Sequence, residues 1–280
     1  MNPQYPLVFS TLLIRLGVGV LITCIVVSFV SESLPLTLPL SIFSMCCVLL
    51  GVILSMTHLG RPKKFLNAFS NLSSMLTWEA ILTPLLLTSM FLMILGSYLG
   101  NLPVLVGIGK LGAILFGVSL VYVTAKVYHL KARPSWATSL VVYEFFVSAF
   151  CMGILGYQGA LSFVGKSSES GWPYLAVLAL GGLTAEFVVT LYYRHYIRSV
   201  SLTAFEALQE KTSSIQFYLW ITIGLAIPFI LSSIALIVRE LPEFIAIISF
   251  VSFFLGAMFW RIVFFKVATP LKITPDIAVW

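Results

Sequence analysis

The chain has 280 residues, 60% of them hydrophobic and only 9% charged, with a formal net charge of +6. That composition excludes an ordinary soluble domain and points to a polytopic membrane protein. The positive surplus then reads as a topology signal; no nucleic-acid partner is expected.

Eight apolar runs are expected to cross the bilayer, at residues 7–30, 36–57, 78–99, 104–128, 138–163, 173–193, 216–238 and 243–266. Each is near the ~20 residues a helix needs to span ~30 Å of hydrocarbon. The runs are uniformly apolar and lack the alternation of a β-barrel strand. The predicted fold is an all-α integral membrane protein, a bundle of eight transmembrane helices forming a single transmembrane domain over 1–280. Met1 to Pro6 carries no basic stretch and no small-residue cleavage site, so the first span is expected to be retained.

Along the chain, the polar residues inside this apolar background fall at recurring depths. Span 1 carries Arg15, about 12 Å from its starting side at ~1.5 Å rise per residue. Span 2 closes on His58, followed by Arg61, Lys63 and Lys64, and Glu79 opens span 3. Lys110 in span 4 lies nearer the opposite side, and that span closes on Lys126, Tyr128 and His129, with Lys131, Arg133 and Trp136 after it. Glu144 in span 5, Glu186 in span 6 and Arg261 in span 8 lie roughly 8–11 Å from the side of Arg15. His195 follows span 6. Four cysteines, Cys24, Cys46, Cys47 and Cys151, lie inside spans without metal-ligand spacing and read as packing residues.

An even number of spans puts both termini on one side, with the connections after spans 2, 4 and 6. Those connections hold most of the loop cations, so the positive-inside rule assigns both termini and the Arg61 loop to the cytoplasm. Charge in lipid is expensive, by at least ~2.5–3.5 kcal/mol per residue on insertion scales. Two cations and two carboxylates at one depth can offset one another as structural ion pairs, or they can line a polar site. His58 and Glu79 bracket one loop at one boundary, where an imidazole and a carboxylate can exchange protons with a bound headgroup and with water. The histidines sit at helix ends, which argues against a transmembrane haem, and no metal site is expected. No catalytic motif is present, so the chain is not expected to be catalytic alone.

The stretch Ser55-Met56-Thr57-His58-Leu59-Gly60-Arg61-Pro62, continuing through Lys63-Lys64-Phe65-Leu66-Asn67-Ala68-Phe69, resembles the DmsC family, the membrane-anchor subunits of dimethyl sulfoxide reductase-type complexes. In that family an HLGxP segment closes span 2 and a Ser-x-x-Glu element opens span 3. Here the latter reads Thr77-Trp78-Glu79, without the usual basic or amide residue before the glutamate. Ala125-Lys126-Val127-Tyr128 with Pro134-Ser135-Trp136, and Gly256 through Arg261 to Phe265, are similar to further family segments.

The resemblance implies a quinol-linked anchor that binds menaquinone or ubiquinone and carries no haem. It implies two partners, a molybdopterin catalytic subunit and an iron–sulfur subunit docking on the HLGRP-loop side; molybdopterin and the iron–sulfur clusters would sit only in them. Electrons would pass between the quinone pool and that iron–sulfur subunit. The family's quinol-site histidine and glutamate fall on His58 and Glu79. Arg61, Arg15, Glu144, Glu186 and Arg261 are further candidates around the headgroup, where cations would stabilise negative charge, and Tyr128 and Trp136 are candidate walls. Well-known relatives place the HLGxP side outside the cytoplasm. Here the loop charges place it on the cytoplasmic face of the bacterial inner membrane, as in sulfite-oxidising relatives, which would favour substrate oxidation with quinone reduction. The rival classes are a proton-coupled secondary transporter using Glu144 and Glu186, and a structural membrane protein without a ligand. The lack of an internal repeat argues against the transporter.

Overall fold

The structure is a computed structural model that describes residues 5–30, 37–57, 71–100, 102–164, 172–238 and 243–270. His58 and Arg61 lie outside the described residues. The described residues contain helices and no strand, as hydrocarbon requires, because each backbone N–H and C=O must then be satisfied within its own segment.

In chain order the helices are α1 (Tyr5–Val30), α2 (Thr37–Thr57), α3 (Met75–Tyr98), α4 (Pro103–Val127), α5 (Leu140–Phe163), α6 (Trp172–Val200), a short α7 (Leu202–Gln209), α8 (Lys211–Leu219), α9 (Ile227–Val238) and α10 (Glu243–Lys266). A π-helical turn, Trp220–Ala226, joins α8 to α9, and Lys211–Val238 is one continuous span. Among the described residues eight helices are long and apolar enough to cross a membrane, as the composition predicts. The chain is a multi-pass helical bundle.

Three helix ends differ from the sequence expectation by three residues or more. α6 runs on to Val200, although its apolar run ends near Tyr193. Arg194, His195 and Arg198 break the hydropathy without breaking the helix, since charges leaving the hydrocarbon can stay helical in water. Arg194 keeps its guanidinium over the Phe217 ring at 4.7 Å. The next span begins at Lys211 for the same reason, and α3 begins three residues early, at Met75.

α1, α5 and α10 form the centre of the bundle, each with more than half of its apolar window buried. α1 packs on α2, α4, α5 and α10, and α5 packs on α6 and α10. Small residues allow the close crossings. A Cβ on Gly153 of α5 would lie 2.6 Å from the Gly19 carbonyl carbon of α1, and a Cβ on Gly224 would lie 2.9 Å from the Gly256 Cα of α10. With no hydrophobic drive between helices in lipid, such backbone approach supplies the packing that holds the bundle. The periphery is apolar: Leu111 and Leu115 on α4 and Phe229 and Ile230 on α9 are exposed, as lipid-facing residues should be.

Candidate functional site

Four helix ends on the Arg61-loop side enclose a cavity of about 580 Å³, within the ~300–1,000 Å³ common for small-molecule sites. α1 contributes Leu7, Ser10, Thr11 and Ile14, and α2 contributes Val52, Ser55 and Met56. α3 contributes Leu76, Glu79, Ala80, Thr83, Pro84 and Leu87, and the end of α4 contributes Val127 and Tyr128. The wall is largely apolar, with a few polar groups at the level of the helix ends.

Among the described residues Glu79 is the one carboxylate on that wall, half-buried one turn into α3. Its Oε1 accepts the Thr124 hydroxyl from α4 at 2.9 Å. Its backbone carbonyl accepts the Thr83 hydroxyl at 2.7 Å. Pro84 follows and has no N–H to give the Ala80 carbonyl, so the α3 backbone beside the carboxylate is opened where the cavity lies. α2 ends at Thr57, directly after the cavity residues Ser55 and Met56. His58 is the next residue in the sequence.

Behind the cavity lies a buried charge cluster. Arg15 Nη1 donates to Glu144 Oε1 at 3.0 Å. Arg261 Nη2 reaches both Glu144 oxygens, at 3.0 and 2.9 Å. The two guanidiniums lie over the Phe145 ring, 4.9 and 4.3 Å from its centroid. Arg15 Nε donates to the carbonyl of Thr11 at 3.0 Å, and Thr11 lines the cavity. Arg15, Glu144 and Arg261 are each at most 3% exposed. Such burial is tolerated because charge is matched by charge and hydrogen bond. Two cations on one carboxylate leave a positive excess, and Glu186 of α6, fully buried, lies in the electrostatic reach of Arg15, Arg261 and Glu144. The four charged residues read from depth alone therefore come together, in the core next to the cavity, and none of them is among its lining residues.

Tyr128 stands between cavity and core. It lines the cavity and packs on Trp136 at 5.2 Å, Phe265 at 5.5 Å, and Phe145 and Phe264 at 5.8 Å. Trp136 is not a lining residue. It stacks on Phe264 at 5.0 Å and donates its indole N–H to the Phe264 carbonyl at 3.1 Å. The Ser135 hydroxyl donates to the Val267 carbonyl at 2.8 Å and Arg133 Nη1 to the Ala268 carbonyl at 2.6 Å. The α4–α5 connection thus satisfies the free carbonyls at the end of α10 and fixes Tyr128 against the cluster. Among the described residues no three metal-ligating side chains converge.

The profile of the family described as DMSO reductase anchor subunit (DmsC) matches residues 1–267. The protein belongs to this family. It is also similar to the C polypeptide of the anaerobic dimethyl sulfoxide reductase of Haemophilus influenzae, 28% identical over 194 residues that cover 68% of the present sequence and 69% of that relative. The HLGRP stretch therefore led to the right family.

For this member of the DmsC family, several site residues carried no sequence signal of their own. Thr124, which holds Glu79, is one of many small polar residues in apolar spans. Thr11 matters through its backbone carbonyl, which no sequence pattern reveals. Pro84 was the available clue, since a proline inside a span marks an opened backbone.

Proposed function

We propose that this protein anchors a molybdopterin oxidoreductase complex in the bacterial inner membrane and binds the quinone headgroup in the cavity between α1, α2, α3 and α4. The cavity carries this reading: it is large enough, apolar in its walls, and holds a half-buried carboxylate at the membrane boundary. Interconversion of a bound quinol and quinone exchanges two electrons and two protons; the electrons pass between the headgroup and an iron–sulfur subunit docked on the HLGRP-loop side, and in the quinol-oxidising direction the protons leave to bases of this protein. Menaquinone and ubiquinone both suit an apolar crevice of this kind.

Glu79 accepts a proton and is held in place by Thr124. His58, the residue after α2, accepts the other, since neutral imidazole is a competent base near neutral pH. Arg61 belongs to the same segment and stabilises negative charge on the headgroup. The positive excess on Arg15, Glu144 and Arg261 acts from behind the wall through Thr11, a preorganised field that needs no rearrangement during reaction. Tyr128 bounds the headgroup, with Trp136 supporting it. The cations that the sequence carries after spans 2, 4 and 6 support a cytoplasmic position for this side.

The test is quinol-linked turnover of complexes carrying His58→Ala or Glu79→Gln, with turnover from a soluble dye as the control for assembly. Loss of a positioned base should slow the quinol reaction by about 10²-fold or more, with the dye reaction intact. Wild-type quinol turnover in both variants would overturn the assignment.

A further inference from the structure

Next to the ion cluster, a set of buried polar atoms has no hydrogen-bond partner among the described residues. They are both carboxylate oxygens of Glu186, Nε and Nη1 of Arg261, the Tyr193 hydroxyl and the Trp260 indole N–H. Their residues are at most 2% exposed. Glu186 and Tyr193 stand seven residues apart on one face of α6, and Trp260 and Arg261 are neighbours on α10. The Tyr193 ring lies 5.9 Å from that of Trp260 and 6.2 Å from that of Phe264, over which Arg261 sits at 4.6 Å. Glu186 and Tyr193 share the electrostatic field of Glu144 and Arg261. Acceptors from α6 and donors from α6 and α10 are therefore buried beside one charge cluster without a direct hydrogen bond among the described residues. Buried polar atoms in that situation are bridged by ordered water.

We propose that these groups line a buried hydrated chamber in which Glu186 takes up and releases a proton as the adjoining cavity changes charge. Both oxygens of Glu144 accept hydrogen bonds from the two guanidiniums, whereas neither oxygen of Glu186 has a partner among the described residues, which leaves Glu186 as the carboxylate open to water. Its other titratable neighbours are Arg15, Arg261 and Cys151. With Glu186 ionised, Arg15, Arg261, Glu144 and Glu186 sum to zero. With a proton released by a bound quinol and passed through chamber water to one Glu186 oxygen, the water is left neutral and the cluster carries one positive charge. Arg15 delivers that charge to the cavity wall through the Thr11 carbonyl. The chamber itself stands on its own geometry; its coupling to the cavity rests on the quinone reading above.

Two measurements on the intact complex in lipid nanodiscs test this. In heavy-oxygen water, radiolytic hydroxyl-radical labelling should mark Tyr193 and Trp260 several-fold more than the equally buried Trp220 and Phe253. Labelling no higher than those controls would overturn the chamber. Redox-difference infrared spectra of the quinone-loaded complex should show a protonated-carboxyl band that shifts in Glu186→Asp and is lost in Glu186→Gln. A spectrum with quinone bands and no Glu186-dependent carboxyl band would overturn the proton role, whereas absent quinone bands would count against the cavity reading and leave the labelling result standing.

Discussion

Glu144 gathers Arg15, Arg261 and the Phe145 ring around one carboxylate, out of reach of bulk solvent. Removing its charge would strand two buried guanidiniums, a loss of about 3–5 kcal/mol when a buried pair is broken on one side. Glu144→Gln is therefore expected to lower the thermal midpoint of the detergent-solubilised protein sharply, and an unchanged midpoint would contradict the triad. This cluster was half legible in the sequence. The rise per residue sets depth, so Arg15, Glu144, Glu186 and Arg261 could be placed at one level. Which carboxylate takes both arginines depends on how α1, α5 and α10 cross, and spacing along a single helix holds no information about that. Tyr193 and Trp260 were illegible for another reason: with 22 Phe, 11 Tyr and 6 Trp, an aromatic in a span is no signal.

Helices in this protein are ended by their surroundings more than by their hydropathy. The spans were readable because length and apolarity are what lipid selects, and the eight were found with ends displaced by up to seven residues at α6. Those displacements occur where polar residues leave the hydrocarbon and the backbone has no reason to stop. The connection between α4 and α5 shows the reverse case, a short segment fixed by tertiary bonds. Trp136 both stacks on Phe264 and caps its carbonyl. Trp136→Phe should keep the stack and lose the hydrogen bond, costing about 0.5–1.5 kcal/mol. Trp136→Ala should cost about 3–5 kcal/mol, as for large-to-small changes in cores, measured by thermal unfolding in one detergent. Equal effects would mean that the ring packing contributes nothing.

As a whole, the molecule concentrates its polar chemistry at one end. Cavity, ion cluster and the proposed chamber lie toward the ends of α2 and α4, and among the described residues the opposite half is mostly apolar, Lys110 on Ser28 and Glu243 being its charged residues. A proposed electron exit on that side is consistent with this division, because quinone tails need only an apolar crevice while protons and partner subunits need the boundary. The sidedness has its own check: a fluorescent protein fused at the C-terminus should light up in the cytoplasm, and an alkaline phosphatase fused there should be inactive. The opposite pattern would place the docking side outside. The family was legible from the HLGRP stretch, and Glu79 pointed to the boundary at which the cavity lies. Its shape was not, because the cavity is made by four helix ends that only folding brings together.

The measurement that bears most directly on the central claim is equilibrium binding of a fluorescent quinol-site inhibitor to the purified complex, in wild type and in Ala80→Trp, which fills the cavity between Glu79 and Pro84. One saturable site per anchor subunit, abolished by Ala80→Trp in a complex that still assembles, is the predicted result. Undiminished binding to the filled variant would place the quinone elsewhere and contradict the account.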